Sequence, residues 1–439
     1  MHRPLRPAVE PRPSNADSSP TAPQTTDAPS PPEASPPEAL PSEASRDRPW
    51  LHLLLFALAL VSTIWAGGDW ASRLLYYNGE AAWLAFADTH QNHGAWVYLF
   101  NTGFLFDGLR YAVALLGFLT VHEFGHYFTA RYHRIDTSLP YYIPFPFNGI
   151  GNFGAVIRIR EAIPSMRSLF DIGVSGPLAG FVVALGALLY AFATLPGPEY
   201  LLDQPGHEAL KAYIRQHGTF PSTHPEPEPG TLVIVVGQTP LYWMLSQFFP
   251  HVPPMYEMYH YPVLFAGWLG LFFTALNLLP VGQLDGGHVL YALFGRAWHR
   301  RLARGFVMIL LLSGGIGFIE WIQEMDLGAT TNALAWPALA GILYGYMRRT
   351  FGSNRSAALL ALAALLTGVG IADAVGPPLT GYGYLGWLIW TLLIVFLVRV
   401  EHPPVLNEDP LTPRRRLLGY AAIVIFLLCF SLQPLSVMS

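Results

Sequence analysis

Charged residues and cysteine are both scarce in this 439-residue chain. Asp, Glu, Lys and Arg make up 12% of the sequence, hydrophobic residues make up 52%, and the mean hydropathy is +0.34. This composition is typical of a polytopic membrane protein rather than a soluble domain. The net charge of -4 gives no indication of a nucleic-acid partner, and we expect none. The single cysteine, Cys429, excludes an intramolecular disulfide and any metal site built from several thiolates.

The rest of the chain is organised around a short polar motif inside a long apolar run. Residues 122–126 read His-Glu-Phe-Gly-His, in a run that starts near residue 109 and ends at Arg131. The run is long enough to cross a bilayer as a helix. On a helix, His122 and His126 lie one turn apart on the same face, where both imidazoles can bind one metal ion. Glu123 lies beside them, where its carboxylate could act as a general base.

The membrane setting decides how this motif is interpreted. In a soluble helix, five such residues occur by chance on an ordinary solvated face. In the middle of a membrane helix each ionisable side chain costs roughly 2.5 to 3.5 kcal/mol. Three of them within five residues therefore need a compensating interaction, and a bound metal ion supplies one.

A second polar segment closes a later apolar run and contains the best remaining candidate ligand. It reads Asn-Leu-Leu-Pro-Val-Gly-Gln-Leu-Asp-Gly-Gly from Asn277 to Gly287, with its carboxylate at Asp285. The Asn, Pro and Gly residues can end a helix and free backbone groups. Asp-Gly-Gly alone is only a turn signal. Catalytic zinc sites, however, take three protein ligands, so Asp285 is the candidate that completes the pair of histidines.

Together the two motifs resemble those of the site-2 protease family of intramembrane zinc metalloproteases, in the branch that lacks a PDZ domain. That family pairs a membrane H-E-x-x-H with a later N-x-x-P-x-x-x-L-D-G segment. The resemblance covers roughly residues 105–300. It implies one Zn²⁺ per chain held by His122, His126 and Asp285, with Glu123 as the catalytic base and Asn277 contacting the substrate or the developing oxyanion.

The same resemblance implies the substrate class. The expected activity is hydrolysis of peptide bonds within or near a transmembrane segment of another membrane protein, after an earlier cut has removed most of its outer domain. Many members have Asn-Pro-x-Pro where this chain has Asn-Leu-Leu-Pro from Asn277. The sequence predicts neither the identity of the substrate nor the oligomeric state.

Other functions remain open from the residues alone. A membrane metal transporter could also place His and Asp in its helices, but the helices after Arg304 are nearly free of ionisable residues. A protease-dead binding protein is disfavoured, since the candidate ligands and base are all present. A rhomboid-like serine protease could use Ser175, in Gly-Val-Ser-Gly, yet no later histidine is a good partner for it. Close helix packing by small residues is the simpler interpretation.

The predicted fold is an all-α polytopic membrane protein of about eight to nine transmembrane helices with a small re-entrant β-hairpin near residues 141–160. Four regions follow in order along the chain. They are a disordered cytoplasmic tail rich in Pro, Ser and Glu (1–47), a first membrane helix with an interfacial segment (48–108), a catalytic membrane core (109–300) that includes a non-cytoplasmic loop (196–261), and C-terminal membrane helices (301–439).

Basic and non-basic loops alternate along the predicted helices. The basic loops are 131–167, 296–304, 348–355 and 399–416, and the positive-inside rule assigns them to the cytoplasm. The N-terminus is then cytoplasmic, and the three candidate ligands lie at similar depth. We expect a bacterial cytoplasmic membrane. The resemblance to PDZ-free members, which include chloroplast proteases, is also consistent with an organelle membrane.

Overall fold

The computed structural model is dominated by α-helices. It describes residues 48–72, 102–146, 149–203, 208–221, 233–398 and 407–438, together with Val400 and Val405. The predicted tail (1–47) and most of the predicted interfacial segment (73–101) lie outside the described residues. So does the Glu-His-Pro-Pro stretch at 401–404, for which the sequence gives no function.

Twelve α-helices form within the described residues. They are α1 (Pro49–Ser72), α2 (Thr102–Tyr132), α3 (Met166–Ala193), α4 (Glu208–His217), α5 (Pro240–Ser246), α6 (Pro262–Asn277), α7 (Asp285–Glu324), α8 (Ala329–Phe351), α9 (Arg355–Val375), α10 (Pro377–Thr380), α11 (Gly386–Leu392) and α12 (Pro413–Cys429). Short 3₁₀ turns cover Pro198–Asp203 and Met258–His260, and a π turn at Leu393–Val398 continues α11.

Five of these helices are long and apolar enough to cross a membrane: α1, α2, α3, α7 and α9. The protein is therefore a multi-pass membrane protein with a mostly helical fold. Two further apolar helices, α6 and Gly386–Phe396, are shorter. Helix length and composition in the described residues thus give fewer spans than the eight to nine predicted from the sequence.

The largest departure from the predicted helix pattern concerns residues 262–304. The apolar run at 262–294 is not a single helix, because α6 ends at Asn277 and a new helix begins at Asp285. A basic loop was predicted at 296–304, but these residues are helical and belong to α7. Within α7 the backbone leaves helical geometry only at Gly295, with φ 74 and ψ 173. The predicted boundary between residues 300 and 301 therefore falls inside α7.

The predicted β-hairpin is present. Strands β1 (Tyr141–Phe145) and β2 (Gly151–Val156) pair antiparallel, with an irregularity between Tyr142 and Pro144, where proline cannot donate to the ladder. The hairpin lies along α1, whose Ser62 hydroxyl donates to the carbonyl of Gly151 at 2.6 Å. Gly151 has φ +82, and an added Cβ would lie 2.5 Å from the carbonyl oxygen of Ser62. Glycine is thus required for this close approach.

A second two-stranded sheet was not predicted from the sequence as a pair. Strand β3 (Val233–Val236) pairs antiparallel with β4 (Leu435–Met438) near the end of the chain. The apolar run that begins at residue 417 is helical only as far as Cys429, where α12 ends. The backbone N–H of Gly237 extends the pairing by donating to the carbonyl of Pro434 at 2.8 Å. The sheet therefore joins the predicted loop 196–261 to the C-terminal segment.

Helices α2, α3 and α6 form the bundle that carries the candidate site. Small residues let α6 approach α3 closely, since a Cβ at Gly270 would lie 2.7 Å from the Cβ of Ala184. A Cβ at Gly267 would lie 2.9 Å from Leu188 in the same way. Between membrane helices such contacts supply dispersion attraction in place of a hydrophobic driving force.

Candidate metal centre

Three metal-ligating side chains from two helices meet inside this bundle. The Nε2 atoms of His122 and His126 lie 3.1 Å apart. Asp285 Oδ2 lies 3.5 Å from the first of them and 3.3 Å from the second. The histidines are buried, with 2% and 6% of their surfaces exposed. Among the described residues, these three form the one group of three or more such side chains that could hold a metal ion.

The separations of these donor atoms fit a zinc ion. Zinc in proteins is four-coordinate and tetrahedral, with bonds of about 2.0–2.2 Å to nitrogen or oxygen, so two of its ligand atoms lie about 3.3–3.6 Å apart. The three separations observed here, 3.1, 3.3 and 3.5 Å, match that value closely. Two imidazole nitrogens and one carboxylate oxygen are also a donor set that zinc accepts in catalytic sites. The residues present therefore fit the ion that the sequence predicts.

The break between α6 and α7 is what brings Asp285 to the histidines. Asp285 is the first residue of α7, and the two glycines after it lie against the preceding turn. An added Cβ at Gly286 would lie 2.0 Å from the carbonyl oxygen of Leu278, and one at Gly287 would lie 2.3 Å from that of Gly282. Because neither glycine has a side chain, the start of α7 can pack directly on the turn, and this packing brings Asp285 close to the two histidines.

His126 is oriented by α3. Its Nδ1 donates to the carbonyl of Ile172 at 2.7 Å, which leaves Nε2 as the ligand atom facing Asp285. On the same helix, a Cβ at Gly176 would lie 2.1 Å from that Nε2. By contrast, Nδ1 of His122 is buried without a hydrogen-bond partner among the described residues. The two histidines therefore differ in how firmly their rings are held.

Glu123 and Asn277 lie at the same centre. Glu123 is 7% exposed and is close enough to interact electrostatically with His126 and Asp285. Its carboxylate lies close to the backbone of Ile157, just beyond β2. Asn277, the last residue of α6, places its Nδ2 3.3 Å from Nε2 of His122. The structure thus brings together all five residues that the sequence predicts for the site.

Ser175 has a different environment. Its hydroxyl oxygen lies 3.0 Å from the carbonyl oxygen of Gly125 on α2 and 2.9 Å from that of Ile172 on its own helix. The hydroxyl proton is therefore engaged in holding α3 against α2. This contact favours the packing role that the sequence suggests for the Gly-Val-Ser-Gly stretch. The hydroxyl is directed at backbone carbonyls and not at a side chain that could act as a base, so the contact does not support a serine protease.

Sequence reasoning missed an ion-pair cluster beside the centre. Arg415 on α12 binds both carboxylate oxygens of Asp171 on α3, through Nε and Nη2 at 2.7 Å each. Nε2 of His133, just beyond α2, lies 2.9 Å from the same carboxylate. Asp171 directly precedes Ile172, whose carbonyl holds His126. No local signal predicts this cluster, because Asp171 and Arg415 lie 244 residues apart in sequence.

Comparisons with known proteins point to one family. The profile of Peptidase family M50 matches residues 110–319. The chain is 30% identical to "Probable zinc metalloprotease EGY1, chloroplastic" of Arabidopsis thaliana over 199 residues, which are 44% of this chain and 31% of that protein. It is 31% identical to "Probable zinc metallopeptidase EGY3, chloroplastic" of the same plant over 248 residues, 56% of this chain and 38% of that protein.

A third relative, from rice, gives a similar result. "Probable zinc metalloprotease EGY2, chloroplastic" of Oryza sativa subsp. indica is 27% identical over 228 residues, which are 51% of this chain and 36% of that protein. The matched region spans about a third of the length of these curated relatives. No solved structure gives a significant match.

Proposed function

We propose, on the premise that residues 110–319 of this chain belong to Peptidase family M50, that the protein is an intramembrane zinc metalloprotease. It would hydrolyse peptide bonds within or near the transmembrane segments of other membrane proteins. The observation that carries the proposal is the set of three donor atoms at zinc-like separations, buried in helices that can cross a membrane. The names of the relatives, all zinc metalloproteases or metallopeptidases, support the same activity.

His122, His126 and Asp285 would hold the zinc ion. Bound there, zinc would supply Lewis acidity, which polarises the scissile carbonyl and acidifies the attacking water. Glu123 is the residue that accepts the proton from that water and passes it to the leaving nitrogen. Glu123 is buried beside His126, so this carboxylate is held next to the ligands. Asn277 would donate its amide N–H to the developing oxyanion, since its Nδ2 lies beside the ligand nitrogen of His122.

The hairpin would present the substrate to this centre. A peptide must be extended before a protease can cut it, and a strand edge binds an extended peptide through backbone hydrogen bonds. The β1–β2 hairpin contacts the helix that carries the site, because the hydroxyl of Tyr142 on β1 lies 2.6 Å from that of Thr120 on α2. We therefore assign β1–β2 as the re-entrant element along which a transmembrane substrate, already shortened by an earlier cut, is aligned.

The membrane topology is part of the proposal. The five long apolar helices would be joined as membrane crossings by α6, α8, α11 and α12, which gives the eight to nine crossings expected from the sequence. Basic residues at 131–167, 348–355 and around 414–416 favour a cytoplasmic location for those loops and for the N-terminus. The membrane would be a bacterial cytoplasmic membrane; the chloroplast relatives make an organelle membrane the alternative.

The direct test is metal-dependent cleavage of a single-span model substrate by the purified protein. Removal of zinc with a chelator, verified by metal analysis, should abolish cleavage, and added zinc should restore it. Cleavage that continues at the original rate in protein shown to contain no zinc would overturn the proposal.

A further inference from the structure

An apolar groove of about 500 Å³ lies beside the bend in α7. Its walls come from the two limbs of α7 before and after Gly295, from the turn at Leu278 and Pro280, and from the second half of α12. Its lining side chains are aliphatic and aromatic with one exception, Arg301. No residue of the candidate metal centre lines this groove.

Two glycines explain why the space exists. Gly295 adopts φ 74, which interrupts α7 and separates its limbs. Gly305 lies on the wall of the groove, and an added Cβ there would meet no atom within 4 Å. The aromatic ring of Phe306 packs at 5.7 Å from that of Phe426 on α12 and closes one side. The groove is thus a gap that the sequence leaves unfilled.

Arg301 is the one charged side chain among the residues that line the groove. Arg301 is exposed, and its guanidinium lies over the ring of Trp298 at 5.2 Å. Among the residues that the structure describes, no carboxylate forms an ion pair with Arg301, Arg300 or Arg296, all of which are exposed. Arginine and tryptophan side by side are typical of the level at which a membrane meets water.

We infer that this groove binds an anionic phospholipid of the surrounding membrane. One acyl chain lies along the apolar walls, and the headgroup phosphate is bound by Arg301, with Arg296 and Arg300 in the same stretch of α7 adding positive charge. An apolar gap lined by one arginine that has no ion pair in the described residues matches an amphiphile with a negative head, and basic pockets between membrane helices bind such headgroups. The net-neutral head of a zwitterionic lipid gives the arginines no net charge to neutralise.

The position of the groove argues against a substrate helix as its occupant. None of the three candidate ligands, Glu123 or Asn277 lines it, so a helix lying there would not bring a peptide bond to the candidate metal centre. The groove also borders Gly286, the residue after Asp285. A lipid in it braces the limb of α7 that begins at Asp285 against the limb that follows Gly295.

The test compares lipid retention by the purified full chain in native mass spectrometry. The probes are dioleoylphosphatidylglycerol and dioleoylphosphatidylcholine, added at equal concentration. Wild type should retain the anionic lipid at least tenfold more strongly. Gly305→Leu, which fills the groove, should remove this retention. Gly341→Leu, on α8 in equally open space outside the groove, should not change it.

The role of the headgroup is tested separately. Arg301→Gln should abolish the preference for phosphatidylglycerol, while the matched change Arg355→Gln, at an exposed arginine on α9 outside the groove, should preserve it. Arg301 is exposed, so its replacement leaves folding intact even if Gly305→Leu does not. Equal retention of the two lipids by wild type overturns the inference. So does an identical result for Gly305→Leu and Gly341→Leu, or a preference that survives in Arg301→Gln.

Discussion

Gly176 gives the most specific prediction about the metal centre, because the three atoms nearest to an added Cβ there all belong to the candidate ligand His126. A Cβ added at Gly176 would lie 2.1 Å from Nε2 of His126, where ordinary contact begins at 3.4 Å. Gly176→Ala must therefore move the His126 ring or separate α3 from α2 by more than 1 Å. The ring cannot turn freely, because its Nδ1 is bonded to the Ile172 carbonyl at 2.7 Å.

The expected loss follows from that displacement. Disturbing the groups that orient a ligating histidine typically lowers metal affinity by about 10–100-fold. A misplacement of about 1 Å in a catalytic site can cost roughly 100-fold in rate. We expect Gly176→Ala to lower zinc affinity and cleavage within those ranges. Zinc affinity is measured by competition with a chromophoric chelator, and cleavage with the single-span substrate.

Gly186→Ala is the matched control. Gly186 lies on the same helix, and a Cβ there would meet nothing within 4 Å. Alanine is the better helix former by roughly 1 kcal/mol, so this variant should keep its zinc and its activity and be at least as stable. Wild-type zinc affinity in Gly176→Ala, with the thermal stability of both variants unchanged, would refute the reasoning about the packing of α3 on His126.

Two further predictions concern contacts around the site. Ser175→Ala should leave cleavage within about threefold of wild type and reduce the free energy of unfolding by about 0.5–1.5 kcal/mol, since the hydroxyl is directed at backbone carbonyls of α2 and of its own helix. Loss of all cleavage in a folded variant would restore the serine-protease interpretation. Arg415→Gln should lower the free energy of unfolding by roughly 1–3 kcal/mol, because it removes both hydrogen bonds to Asp171. Arg416 is an exposed neighbour without an ion pair in the described residues, so Arg416→Gln should change the free energy of unfolding little. Equal stabilities of these two arginine variants in thermal or denaturant unfolding would contradict the second prediction.

The convergence of the site residues could be predicted because its signals are local. The spacing of His122 and His126 places them on one helical face whatever surrounds the helix. The Asn-Leu-Leu-Pro and Asp-Gly-Gly signals predict a helix break, and the structure has α6 ending at Asn277 and α7 starting at Asp285. Three ionisable residues close together in a membrane helix need a compensating interaction, because moving each of them out of water costs free energy.

The path of α7 could not be predicted in the same way. Residues 296–304 contain four arginines, which indicated a loop. Arginine is nevertheless a good helix former, and its long side chain can reach the membrane surface from a helix. Helical propensity and interfacial position together therefore outweigh the charge signal. Gly295 separates α7 into two helical limbs, and the four arginines lie in the first turns of the second limb.

Contacts across long stretches of chain were missed for a different reason. The pairing of β3 with β4 joins segments about 200 residues apart, and the Asp171–Arg415 pair spans 244 residues. A single sequence contains no pattern that shows which strand pairs with β3 or which arginine pairs with Asp171. Val233–Val236 is recognisable as a strand, but the strand it pairs with is not.

The most direct test of the central claim compares wild type with Glu123→Gln. Both proteins are purified, their zinc is quantified, and both are incubated with the single-span substrate. We expect about one zinc per chain in each protein, since Glu123 is not among the three candidate ligands, and cleavage by wild type alone. Cleavage by Glu123→Gln at the wild-type rate would contradict the claim that this carboxylate moves the proton.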